Sequence, residues 1–221
     1  MDLHRTADVP EWELVEADQW NEHQLRAFMT NGWDTPGNRV SAAGFGLSVV
    51  GLYYATKGDM TTAAGLLAAG RVLDVVDGYV ANATGTKSPK GEMVDASIDK
   101  VLLFGALVTL VSQDIIPVPI AIAVGAQNGL NVTATAIAKA RGAEIHPVAT
   151  GKYFTAMQWG GFVLRLAGNA LPDNSQLKQP IVYAGDAMLI GGVGVGLVST
   201  RQLFAQAVHK KQDESTTDPA S

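Results

Sequence analysis

Four aspartates that could share one chemical task lie within residues 74–99. Asp74 and Asp77 are three positions apart, and Asp95 and Asp99 are four positions apart. In helices these spacings place the members of each pair on the same face. The intervening residues 83–90 include a glycine and a proline, which can turn the chain back. We therefore expect the four carboxylates to converge between two antiparallel helices.

Four ionised carboxylates at close range in a medium of low dielectric constant require charge compensation. Either some of them are protonated or cations lie among them. Ligand sets made of oxygen alone suit hard cations such as Mg²⁺, Mn²⁺ or Ca²⁺. Two such cations can bind a pyrophosphate and neutralise the charge that develops on a leaving phosphate. The alternative, aspartates that merely pack two helices together, would need positive partners, and Lys87, Lys90 and Lys100 are too few.

The elements that carry these aspartates are apolar. Charged residues make up 17% of the 221 residues, below the average of about 25%. The segment 115–137 has 23 residues and no charge, which is enough to cross a bilayer. Single charges such as Arg71 interrupt other apolar segments, and counting these gives six candidate spans: 40–56, 60–84, 92–113, 115–137, 153–171 and 181–208. The predicted fold is all-α, an integral membrane bundle of six transmembrane helices.

Charge placement predicts the orientation of the bundle. With both termini in the cytoplasm, the basic residues near cytoplasmic ends of spans are Arg39, Lys87, Lys90, Lys139, Arg141, Lys152, Lys210 and Lys211, whereas the outer loops hold Lys57 and Lys178. This is the positive-inside distribution, and it favours an even number of spans. The sequence thus predicts an integral protein of the cell (inner) membrane with the aspartates on the cytoplasmic side. The net charge of −5 argues against a nucleic-acid partner, and the absence of cysteine excludes thiolate metal ligands.

The predicted spans divide the chain into three regions. Residues 1–34 form a polar N-terminal segment, in which residues 12–32 have the apolar stripe of an amphipathic helix. That helix either lies at the membrane interface or packs on its own protein. Residues 35–208 form the transmembrane domain, and the polar residues 209–221 are expected to be a disordered tail.

The aspartate segment reads D-x2-D-G-x2-A-N-x8-G-x3-D-x3-D. It resembles the signature of the CDP-alcohol phosphotransferase (CDP-alcohol phosphatidyltransferase) family, with one departure: the family has arginine where this chain has Asn82. The matching positions are Asp74, Asp77, Gly78, Ala81, Gly91, Asp95 and Asp99. Residues 35–40, T-P-G-N-R-V, are also similar to the family's junction between its amphipathic helix and first span. The resemblance covers most of residues 35–208 and implies that this is a catalytic domain.

Members of that family transfer a phosphatidyl or similar group from a CDP-linked donor, such as CDP-diacylglycerol, to an alcohol and release CMP. The resemblance implies a site for two divalent cations, Mg²⁺ or Mn²⁺, on Asp74, Asp77 and Asp95. It makes Asp99 the general base for the acceptor hydroxyl and a further metal ligand. The donor nucleotide would lie against Gly78, Ala81, Asn82 and Gly91, because glycine lacks a Cβ and permits close approach. The resemblance also implies a homodimer.

Asn82 leaves alternatives open, because an amide cannot replace the charge of a guanidinium. A catalytically altered or silent member of the family is the main alternative. A membrane cation transporter would use the acidic cluster as its ion site. A prenyltransferase also places aspartates around a pyrophosphate, but its aspartate motifs usually lie on separated helices.

Two basic residues bear on the identity of the acceptor. Arg141 and Lys152 flank the predicted cytoplasmic loop between the fourth and fifth spans, and residues 151–155 read G-K-x-x-T. That spelling is similar to the phosphatidylglycerophosphate synthases of the family, which implies glycerol 3-phosphate as the acceptor, with an inositol phosphate second. Cations at these positions would bind the phosphate of such an acceptor. Ordinary positive-inside loop charges explain them equally well.

Overall fold

The computed structural model describes the backbone of residues 21–30, 34–86, 89–141 and 149–216, and their side chains except those of Phe28, residues 89–97, Ala149 and residues 206–216. The described residues form seven helices and no strand, which confirms the all-α prediction. The helices are α1 (Glu22–Met29), α2 (Pro36–Thr56), α3 (Met60–Thr84), α4 (Pro89–Ser112), α5 (Val118–Ala140), α6 (Ala149–Ala170) and α7 (Lys178–Thr216).

Helix α2 begins within the segment that resembles the family's junction. Thr35 is its N-cap, and the Thr35 hydroxyl accepts a hydrogen bond from the backbone N–H of Asn38 at 3.1 Å. Pro36 follows at the first helical position, where a missing N–H costs nothing. Arg39 donates hydrogen bonds of 2.7 and 2.8 Å from Nε and Nη2 to the two oxygens of Asp34. These bonds hold the pKa of the Asp34 carboxyl below its usual value.

The helix that carries the first aspartate pair ends at a glycine. Helix α3 ends at Thr84, and Gly85 caps it in the left-handed region with φ of 63°. Residues with a Cβ rarely adopt this conformation, which is why glycine stands there. Pro89 begins α4, so the second aspartate pair lies on the next helix. At the other end of α3, the N-cap Asp59 accepts a hydrogen bond from the Thr62 N–H, which lowers the pKa of Asp59.

The helices group into two compact units, the first ending at Thr109 and the second beginning at Leu110. In the first unit α2 packs closely along α3 through glycines. A Cβ added at Gly44 would lie 2.8 Å from the backbone oxygen of Gly70. Leu52 of α2 and Leu67 of α3 are buried, and a Cβ added at Gly51 would lie 3.1 Å from the backbone nitrogen of Leu67. In addition, Asn21, just before α1, donates from its side chain to the Thr84 backbone oxygen at 3.2 Å.

In the second unit α7 packs against both α5 and α6. Its apolar core contains Phe162 and Leu189, both fully buried. The buried amides of Gln127, Asn128 and Gln158 hydrogen-bond to one another, with distances between 2.9 and 3.2 Å. Such mutual pairing offsets the cost of burying polar side chains.

Within the described parts of the chain, two helices are long and apolar enough to cross a membrane: α5, and the Lys178–Ala205 part of α7. In each, 22% of the apolar stretch is buried within the protein, so most of the stretch is not covered by the rest of the described chain. Helices α2, α3, α4 and α6 coincide with the four other predicted spans. The shortest, α2, has 21 residues, which corresponds to roughly 31 Å.

The ends of the chain differ in part from the expectations. Helix α7 continues to Thr216, into the segment for which the polar composition predicts disorder. Lysine, glutamine and glutamate are good helix formers, so a helix that is already formed can propagate through them. Of the predicted amphipathic helix over 12–32, the described part contains α1, and residues 12–20 and 31–33 lie outside the described residues.

Candidate active site

The first and last aspartates of the motif meet at one arginine. Arg71 lies on α3 one turn before Asp74, and its Nη2 is 3.1 Å from Asp74 Oδ1. Its Nη1 donates to Oδ1 of Asp99 on α4. The Arg71 side chain is 14% exposed and that of Asp99 is 19% exposed, whereas Asp74 is 44% exposed. One carboxylate of α3 and one of α4, those of Asp74 and Asp99, are therefore held by a common guanidinium.

Asp77 faces a different helix. It is 8% exposed, and its Oδ2 accepts a hydrogen bond from the hydroxyl of Ser41 on α2. The small residues Gly37 and Ala81 allow α2 to approach this part of α3, since a Cβ at Gly37 would lie 3.1 Å from the Ala81 Cβ. Thus Ala81 has a packing role in addition to the nucleotide contact that the resemblance implies. The two aspartates of the first pair are held by different partners although they are one turn apart.

The fourth aspartate, Asp95, lies on α4 four residues before Asp99. Its side chain, like the surroundings of Gly91, lies outside the described residues. Among the side chains that the structure describes, no three of the types His, Cys, Asp and Glu are grouped closely enough to hold a metal ion. The carboxylate oxygens of Asp74 and Asp99, brought to a common guanidinium, are nevertheless the ligand type that Mg²⁺ and Mn²⁺ prefer.

Two predicted nucleotide contacts face outward on α3. Gly78 is exposed, and a Cβ placed there would meet no atom within 4 Å. Packing within the described chain does not require a glycine at this position, in contrast to Gly70 on the same helix. Asn82 is also exposed, two residues before the end of the helix. Open space at both positions is compatible with a ligand that approaches α3 from outside.

The two predicted acceptor residues belong to the second unit. Arg141 is the C-cap of α5, and Lys152 lies in the first turn of α6. Both are exposed. A second buried charge pair in the same unit joins Arg165 Nη1 to Asp186 Oδ2 at 3.3 Å.

Sequence reasoning missed the roles of Arg71 and Ser41. In the sequence Arg71 is merely a charge that interrupts an apolar segment. Its position three residues before Asp74 on an apolar helix nevertheless indicates a contact between the two side chains. Ser41 gave no such signal, because its contact with Asp77 joins residues 36 positions apart.

A family model and two relatives match the sequence of this chain. A sequence model of CDP-alcohol phosphatidyltransferases matches residues 37–198, which include the whole aspartate motif. The chain is also similar to the human and rat proteins named cardiolipin synthase (CMP-forming), with 32% identity to each over 103 residues. That alignment covers 46% of this chain and 34% of each relative, so the matched region spans about a third of the curated relatives. No solved structure matches the chain significantly.

The described residues form helices only, several of them long and apolar, and two of these helices carry the aspartate motif. These are features of a membrane-embedded transferase. The match over most of its length shows that the chain belongs to the CDP-alcohol phosphatidyltransferase family. The resemblance seen in the sequence and the predicted enzyme class are thereby confirmed at the level of the family. The family is membrane-embedded and generally uses divalent metal ions.

Proposed function

We propose that the chain transfers a phosphatidyl group from CDP-diacylglycerol to an alcohol and releases CMP, as a step of phospholipid synthesis. The observation that carries this proposal is the aspartate motif within the family match, with its first and last carboxylates brought together at Arg71. The relatives named cardiolipin synthase (CMP-forming) support both the product class and the release of CMP.

The reaction is a displacement at the phosphorus that carries the diacylglycerol. The acceptor hydroxyl oxygen forms a new bond to this phosphorus, the bond from phosphorus to the CMP oxygen breaks, and CMP departs with the electron pair. Asp99 accepts the hydroxyl proton. Asp74, Asp77 and Asp95 would hold divalent cations, which when bound supply charge neutralisation on the pyrophosphate. Gly78 and Asn82 lie where the nucleotide would contact α3.

We propose a glycerol that carries a phosphate as the acceptor. The spelling of residues 151–155 and the exposed cations Arg141 and Lys152 support glycerol 3-phosphate. The relatives support a second acceptor that carries a phosphate, namely phosphatidylglycerol. Cardiolipin has two phosphatidyl groups on one glycerol, so a cardiolipin synthase that forms CMP adds a phosphatidyl group to phosphatidylglycerol. In both cases the cations would pair with a phosphate.

The positions of the basic residues along the chain support a location for the proposed reaction. We propose that α2 to α7 all span the inner membrane, with the aspartates near the cytoplasmic side and residues 35–208 as one catalytic domain. Outward-facing apolar side chains on helices other than the two most apolar ones support this, for example Val72 and Tyr79 on α3, which are 61% and 78% exposed. The homodimer that the family resemblance implies is part of the same proposal.

The test is a transfer assay with the purified full-length chain and CDP-diacylglycerol in mixed micelles containing Mg²⁺ or Mn²⁺. Glycerol 3-phosphate, phosphatidylglycerol and inositol phosphate are supplied in separate reactions, and both CMP and the lipid product are measured. We expect CMP to appear with one of the two glycerol acceptors and to disappear after EDTA treatment. Lys152→Ala should raise the KM for glycerol 3-phosphate and leave the donor KM nearly unchanged.

Three results would contradict the proposal. CMP release that persists in EDTA would exclude a cation-dependent site. CMP release without any acceptor would indicate a hydrolase. Donor binding without turnover on any acceptor would favour the silent family member, and Asn82→Arg would then be the first variant to examine for recovered turnover.

A further inference from the structure

Arg71 is a charged residue that the family signature does not include and that contacts two of its aspartates. The signature begins at Asp74, whereas Arg71 precedes it by one helical turn. Its side chain is 14% exposed and contacts carboxylates on two helices with two different nitrogens, Nη2 for Asp74 and Nη1 for Asp99. In both carboxylates the contacted atom is Oδ1.

This geometry uses a property that is specific to arginine. The guanidinium is a planar fork with several N–H donors in fixed directions, so it can orient two acceptors relative to each other. A lysine ammonium at the same position would keep the charge but lacks the rigid fork. Because the group is mostly shielded from water, the contacts are also stronger than those of a surface ion pair.

Arg71 contacts only one of the two carboxylate oxygens of Asp99. Oδ2 of Asp99 accepts no hydrogen bond from any of the described residues, whereas Oδ1 is held by Arg71. A general base must present an oxygen to the proton that it removes, at a distance set by its fixed side chain. An Asp99 carboxylate anchored by one oxygen can present the other in a defined direction.

We propose that Arg71 is the positioning residue of this site: it orients the Asp99 carboxylate toward the acceptor hydroxyl and moderates the negative charge that the divalent cations meet at Asp74. This inference rests on the proposed transferase function. It assigns Arg71 two effects of opposite sign. As a nearby positive charge it weakens cation binding, and as an anchor of Asp99 it accelerates transfer.

Replacing Arg71 should therefore raise the affinity for the cation and lower the rate of transfer. Loss of a residue with a purely structural role would lower both. In Arg71→Gln the repulsion between guanidinium and cation is lost, so Mn²⁺ should bind at least about threefold tighter. Transfer should slow at the same time, with kcat reduced at least about tenfold and the donor KM nearly unchanged. Arg71→Lys keeps the charge, so its Mn²⁺ affinity should match that of the wild type. Its kcat should lie between those of the wild type and Arg71→Gln.

The experiment measures Mn²⁺ binding by electron paramagnetic resonance on the full-length protein in detergent without donor, and transfer separately. Arg165→Gln is the matched control, because Arg165 is also a buried arginine paired with an aspartate, at 3.3 Å from Asp186. It should leave Mn²⁺ affinity unchanged. Elution as a single species in size-exclusion chromatography confirms that each variant is folded.

Weaker Mn²⁺ binding in Arg71→Gln, or a kcat equal to that of the wild type, would overturn the inference. If Arg71→Gln does not fold, Arg71→Lys decides: a kcat equal to the wild type overturns the anchoring role. If the wild type shows no transfer with any acceptor, the proposed function fails by itself, and the Mn²⁺ measurements still accept or reject the charge effect of Arg71.

Discussion

Individual aspartates of the motif differ in their partners although their spacing makes them look equivalent. Asp77 is almost buried and bound by Ser41, whereas Asp74 is half exposed and shares Arg71 with Asp99. A buried carboxylate bound by a hydroxyl is a fixed ligand, and a half-exposed one is open to a cation or a substrate. Roles within the motif can therefore be separated by single substitutions.

The clearest separation is between Asp99 and Asp74. Asp99→Asn should still bind donor but fail in transfer, because an amide cannot accept the hydroxyl proton; loss of a general base typically costs about 10²–10⁴-fold in rate. Asp74→Asn is the comparison variant and should weaken cation-dependent donor binding. Transfer rates and CDP-diacylglycerol binding measured on both variants check this. A rate for Asp99→Asn within a few-fold of the wild type would remove Asp99 from the role of base.

Asn82 is the one departure from the family signature, and it faces outward on α3. Asn82→Arg should tighten donor binding, since a hydrogen bond to a charged group contributes about 1.5–3 kcal/mol, or about tenfold and more in affinity. Ala83→Arg is the matched control, an exposed neighbour that lies about 100° further around the helix. Titration of both variants with CDP-diacylglycerol measures the effect. Flat or weaker binding in Asn82→Arg would mean that another group already serves the nucleotide.

At the scale of the elements, the site depends on how closely α2 approaches α3. Ser41 reaches Asp77 because glycines at the contact permit the two helix backbones to come near each other. Small residues at such contacts are the usual means of close helix packing in membranes. The α2–α3 pair is therefore the part of the fold that most directly determines the position of Asp77.

Two glycines of α2 provide a matched test of this contact. A Cβ at Gly44 would lie 2.8 Å from the Gly70 backbone oxygen, whereas a Cβ at Gly46 would meet nothing within 4 Å. Gly44→Ala should destabilise the protein by about 1–3 kcal/mol, because the neighbouring backbone cannot easily move. Gly46→Ala should be neutral or slightly stabilising. Thermal unfolding in detergent measures both, and an equal change in Tm for the two variants would refute the close contact.

At the scale of the whole molecule, the six long helices and the distribution of lysines and arginines together predict two cytoplasmic termini. The chain has no cysteine, so single cysteines can be introduced without first removing others. Lys57→Cys and Asn174→Cys lie between α2 and α3 and between α6 and α7, on the predicted outer side. Ala140→Cys, at the end of α5, lies on the predicted cytoplasmic side.

In intact cells, a thiol reagent that does not cross membranes should label the first two variants and leave Ala140→Cys unlabelled until the cells are opened. The reason is that α2 to α7 would each cross the bilayer once, which alternates the loops between the two sides. Mass spectrometry of the purified variants measures the labelled fraction. Labelling of Ala140→Cys in intact cells would exclude the six-span arrangement.

The sequence by itself determined the features that depend on neighbours along the chain. Thr35 and Pro36 start α2, and Gly85 ends α3, because helix caps are local interactions between residues a few positions apart. The long apolar segments determined where helices form. The spacing of the aspartates, with the glycines between them, was enough to identify the family and to place carboxylates from two helices together.

Tertiary structure decided which partners Asp77 and Asp99 have. Asp77 pairs with Ser41 across 36 positions, and Arg71 pairs with Asp99 across 28. It also decided that Gly44 meets a neighbouring backbone and Gly46 does not. Such contacts depend on the rotation and the axial register of one helix against another. Both are set by the packing of whole helix surfaces, which no spacing along a single helix contains.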